Sequence, residues 1–94
     1  MKKEEAVANA LAVFTYAELR QIGHIRTFCD YELEVQITIH FKTTGEEALQ
    51  AKKDISPLLM DGTTIEAHTY PNRGYDCLDF IWSIEDKNEP GNNI

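Results

Sequence analysis

His40 and His68 with a carboxylate such as Asp79 or Glu66 are residues whose types could hold a metal ion, because imidazole nitrogen combined with carboxylate oxygen suits zinc and similar divalent ions. They are scattered along the sequence, so no spacing fixes a site, and exposed histidines on a sheet are ordinary. The expectation is neither a metal nor a cofactor. The same types admit acid-base chemistry, with His68 or His24 paired to a carboxylate, but a general base also needs a concave, partly dry site. Cys77 could act as a nucleophile only with a histidine beside it. Cys29 and Cys77 form no Cys-x-x-Cys pair and no Cys/His ligand spacing, so both read as free thiols. Gly45, Gly62 and Gly74 stand singly and make no phosphate-cradling loop. No residue pattern states a reaction, and a non-catalytic role is expected.

These groups must be positioned by a few elements, of which residues 31–42 are the clearest. Tyr31, Leu33, Val35, Ile37, Ile39 and Phe41 alternate with Glu32, Glu34, Gln36, Thr38, His40 and Lys42. Side chains alternate across a strand, so this stretch predicts one dry face and one wet face. Residues 75–85 repeat the pattern, with Leu78, Phe80, Trp82 and Ile84 inward and Cys77, Asp79, Ile81, Ser83 and Glu85 outward. Residues 24–29 and 63–70 read as two further strands, the latter setting Ile65 and Ala67 against Glu66, His68 and Tyr70.

Two helices complete the reading. Residues 3–22 are alanine-rich, with Glu4 and Glu5 in the first turn, Arg20 in the last and Gly23 as the stop. Val7, Ala10, Leu11, Phe14 and Ala17 form its stripe, although the rest of its surface is also unusually apolar. Thr44 and Glu47 make a capping box for a second helix over residues 45–55, and Ser56-Pro57 begins one more helical turn. The order helix, strand, strand, helix, strand, strand predicts an α+β fold. Its form is a four-stranded antiparallel sheet with two helices on one face, a circularly permuted ferredoxin-like sandwich with residues 31–42 and 75–85 at its centre. Residues 1–86 read as one domain and residues 87–94 as a flexible polar tail.

With both helices on one side, the opposite sheet face is the place for function. Glu32, Glu34, Gln36, His40, Glu66, His68, Tyr70, Asp79, Ile81 and Glu85 are the candidate partner-binding residues there. The net charge of −7 argues against nucleic acid and anionic membrane as partners, since both call for basic surface. Carboxylates interleaved with aromatic and apolar anchors suit docking on another protein with a basic surface, such as a nucleic-acid-binding groove. The expected function is therefore a small acidic protein-binding domain, an inhibitor or adaptor, with the apolar side of the first helix available for self-association. The alternative is a homodimeric ligand-binding protein or enzyme whose sheets meet face to face around His40, His68 and Tyr70. Small acidic domains of this size are frequent among phage and mobile-element products that inhibit host machinery, an association carried by composition alone. The N-terminus lacks a signal-peptide pattern, so the expected compartment is the cytoplasm, that of a host if the protein is phage-encoded.

Overall fold

The computed structural model describes residues 1–42 and 45–85. Its elements are α1 (Lys3–Leu19), β1 (His24–Asp30), β2 (Glu34–Phe41), α2 (Glu46–Ile55), a 3₁₀ turn (Ser56–Leu58), β3 (Thr63–Tyr70) and β4 (Tyr75–Ser83). The strands form one antiparallel sheet in the order β1-β2-β4-β3. Val35, Ile37, Ile39 and Phe41 of β2 and Leu78, Phe80 and Trp82 of β4 enter a single core with Ala6, Ala10, Val13 and Ala17 of α1 and Ala48, Ala51 and Ile55 of α2. Both helices thus lie on one face, and the arrangement is the permuted ferredoxin-like sandwich, with β2 and β4 central.

Several boundaries differ from the sequence expectation, each for a local reason. Tyr31 and Leu33 are about half exposed and belong to the reversal between β1 and β2, where the Tyr31 amide donates to the Glu34 carbonyl at 2.8 Å. The alternation continues through a turn that pairing cannot follow, so Tyr31 and Leu33 leave the core. Helix α1 ends at Leu19, not at Ile22, because Gln21 adopts φ 54° and the Ile22 amide returns to the Ala17 carbonyl at 2.9 Å. Arg20 accordingly caps the helix, with its guanidinium 4.0 Å from the centre of the Tyr16 ring. The buried stripe of α1 is Ala6, Asn9, Ala10, Val13 and Ala17; Leu11, expected inside, is 50% exposed. A helix apolar on nearly every side does not announce its inner face, and the small alanines together with Asn9 decide it. Strand β4 stops at Ser83, so Ile84 and Glu85 lie past its end, although Ile84 still packs inward against the core and its amide donates to the Leu33 carbonyl at 2.9 Å. The Thr44 cap and the tail 87–94 lie outside the described residues.

Asn9 fastens three parts of the chain. Its Oδ1 accepts the Trp82 indole N–H at 2.8 Å and the Met60 amide at 3.1 Å, and its Nδ2 donates to the Leu58 carbonyl at 2.8 Å. An amide side chain in an otherwise apolar stripe is thereby paired on both its donor and acceptor sides.

Candidate functional site

Register across the sheet sets the chemistry of the uncovered face. His24 of β1 pairs with His40 of β2, His40 with Cys77 of β4, and Cys77 with His68 of β3, so one row crosses all four strands. The next row is Thr27, Thr38, Asp79 and Glu66, and the one after it Cys29, Gln36, Ile81 and Thr64. Eight of the ten candidate residues therefore share this face: Glu34, Gln36, His40, Glu66, His68, Tyr70, Asp79 and Ile81. Glu32 and Glu85 do not. Glu32 falls in the β1–β2 turn, and Glu85 lies beyond β4, its amide donating to the Met1 carbonyl at 3.1 Å.

Asp79 is the hub of the polar network. Thr38 Oγ1 donates to Asp79 Oδ1 at 2.7 Å, while His68 Nε2 lies 3.1 Å from Asp79 Oδ2 and 3.6 Å from Glu66 Oε2. The Asp79 side chain is only 16% exposed, so these contacts are partly shielded from water. His40 is not in this cluster. It sits on the far side of β4 from β3, two strand spacings or roughly 9.5 Å from the backbone of His68. Its ring instead stacks on Tyr75 at 5.0 Å and 18°, and Tyr75 meets Tyr70 at 4.9 Å. A ledge of three stacked rings, His40, Tyr75 and Tyr70, results. Tyr75 was not among the candidate residues, yet its place two residues before Cys77 on an alternating strand put it on the same face.

The fold does set histidines on both sides of Cys77 in register, which is the condition for reading it as a nucleophile. Its environment works the other way. Burial, then the negative charges of Asp79 and Asp76, raise the Cys77 thiol above its ordinary value and hold it protonated. Neither imidazole is hydrogen-bonded to its sulfur among the described residues, and both cysteines are free.

Burial of His40, reinforced by the Arg26 guanidinium and by His24 and opposed by Asp79, lowers its pKa below the usual histidine value. The folded state then prefers neutral His40, while the unfolded chain binds its proton near pH ~6.5. The stability this contributes is complete above that value and is lost as pH falls through the folded pKa. His40→Gln should therefore flatten the loss of stability between pH ~7.5 and ~5.5, read by urea unfolding at both values. A slope identical to that of the parent protein would show that His40 titrates alike in both states.

On the helix side, a groove of about 450 Å³ runs between α2 and edge strand β3, walled by Ala48, Leu49, Lys52, Ala67 and Leu78. Its buried acid, Asp76, already receives the Gly45 amide at 2.8 Å at the start of α2. Comparison with known proteins finds no matching family model, no similar curated protein and no similar solved structure. No helix among the described residues is long and apolar enough to cross a membrane.

Proposed function

We propose that this protein is a non-catalytic binding domain, an inhibitor or adaptor, that docks its uncovered sheet face on a basic surface of another protein. The observation behind this reading is the one-sided placement of α1 and α2, which leaves uncovered Tyr70, 42% exposed, at one end of the face and half-buried Ile81 one register row from the carboxylates of Glu34 and Glu66. Aromatic anchors flanked by charge are the surfaces on which a few residues carry most of an interface's binding energy. Acidic groups around them steer a basic partner and make association sensitive to salt.

The charge-reversal test uses Glu34→Lys with Glu66→Lys. Asp79 is unsuitable, because it holds Thr38 and His68 and its loss would disturb the face itself. Affinity capture from a lysate of the native host, quantified by mass spectrometry, should return partners for the parent protein that the double variant loses and that dissociate as salt rises. Capture that is indifferent to both changes removes the acidic face from the account.

A second reading draws on the ring stack of Tyr70, Tyr75 and His40, whose outer faces, those of Tyr70 and His40, suit stacking against a planar group. Two copies meeting face to face would close it into a pocket that includes His68. This reading requires a dimer, and sedimentation of a strict monomer at tens of micromolar, on the order of working concentrations, defeats it.

A further inference from the structure

We infer that Glu66, His68 and Asp79 form a binding site for a divalent transition-metal ion, zinc or cobalt in type, with one imidazole and two carboxylates as ligands and at least one coordination position open to solvent. Sequence alone places these groups on a solvated face. The structure gathers one ligand atom from each within 4.8 Å of the others. The two separations from His68 Nε2, 3.1 and 3.6 Å, bracket the distance of about 3.3 Å between ligand atoms that lie ~2.0–2.1 Å from one tetrahedral ion.

Three features favour a cation over a plain ion pair. Glu66 and Asp79 stand directly opposite each other on β3 and β4, a pairing of like charges that is unfavourable in an antiparallel ladder unless a positive charge lies between them. Both carboxylates converge on the same nitrogen of His68, which carries at most one proton and can make one strong hydrogen bond, whereas an ion accepts all three groups together. Thr38 holds the other oxygen of Asp79 at 2.7 Å, fixing the carboxylate so that Oδ2 faces His68, the orienting contact that ligating carboxylates have. The site faces out from the open side of the sheet, and three protein ligands leave room for water or for a group from a bound molecule. The inference does not rest on the docking reading above, since purified protein without a partner suffices to test it.

The probe is Co²⁺ added to the metal-stripped protein, followed by visible absorption, with Zn²⁺ competition. One equivalent per chain should bind, and His68→Ala and Asp79→Asn should each weaken binding by about tenfold or more. Thr38→Val removes no ligand and should weaken it about tenfold through the orienting contact alone. Glu66→Gln, on a half-exposed edge position, keeps the test decisive if another variant loosens the fold, as judged by circular dichroism. Failure to saturate at one equivalent, uptake undiminished in His68→Ala and Glu66→Gln, or a thiolate charge-transfer band placing the ion on a cysteine would overturn the assignment.

Discussion

Asn9→Ala is expected to destabilise the fold by about 3 kcal/mol, more than any surface change described above. The asparagine serves three partners from one side chain that is 7% exposed, and the most demanding is the indole N–H of Trp82, itself fully buried. Removing the acceptor leaves that donor with no water to turn to, and a buried unsatisfied donor costs about 1–3 kcal/mol. The Met60 amide and Leu58 carbonyl are nearer the surface and add less each. Asn9→Asp separates the contributions: it keeps the acceptor for Trp82 and Met60, loses the donor to Leu58 and introduces a charge at a buried position. Urea unfolding measures all of this, and because Trp82 is the one tryptophan, its fluorescence reports directly on the contact. A double-mutant cycle with Trp82→Phe, followed by circular dichroism, should return a coupling of about 1 kcal/mol or more. A loss below ~1 kcal/mol for Asn9→Ala would mean that the three bonds contribute little to holding α1 on the sheet.

Asn9 also marks where sequence becomes a poor guide to this molecule. The strands could be read because period-two alternation has a single solution in a sheet covered on one side: once Val35, Ile37, Ile39 and Phe41 go inward, Glu34, Gln36, Thr38 and His40 have nowhere else to go. Helix α1 offers no such contrast. Its alanines are compatible with either surface, and what turned Leu11 outward and Asn9 inward was a hydrogen-bonding partner on β4, far away in the chain. The same limit applies to the site. Alternation puts His68, Glu66 and Asp79 on one face, but only the β3–β4 register sets Glu66 opposite Asp79 and brings His68 to both. Strand order separates His40 from His68 by the intervening β4. Glu32 and Glu85 lie off the face because alternation in the sequence extends before the start of β2 and past the end of β4, at the one end of the central pair where Glu34 meets Ser83.

The uncovered face thus holds three kinds of surface within a few residues. The Tyr70–Tyr75–His40 ledge offers stacking, Glu34 offers charge near the β1–β2 end, and the Glu66–His68–Asp79 cluster offers ligation between them. What joins them is the central pair β2 and β4, with β3 held in register on β4, so that no loop is needed to align the groups. Edge strand β1 is held differently. It enters the sheet straight from the end of α1 through Gly23, and the bulge at Arg26 interrupts its register with β2.

Gly23→Ala is therefore the second change expected to be severe, at about 3 kcal/mol or more. Gly23 has φ 63°, a conformation that costs an L residue about 1–2 kcal/mol. A methyl group there would also lie 2.5 Å from Ile39 Cγ2, 2.9 Å from the His40 carbonyl oxygen and 3.0 Å from Phe41 Cε1. Ile39 is fully buried and Phe41 nearly so, so neither can swing into solvent, and the chain must move instead. The displacement falls on the residues that set His24 opposite His40, so β1 should peel from β2 first, seen as faster amide exchange at residues 25–29 than in the parent protein. Gly74→Ala is the control. Its φ of 74° carries the same backbone strain, but no atom lies within 4 Å of the added methyl, so its cost should stop at about 1–2 kcal/mol. Equal losses at the two positions would mean that backbone conformation alone explains Gly23. The larger loss at Gly23, with exchange localised to β1, would show that close contact between this glycine and β2 fixes the histidine row.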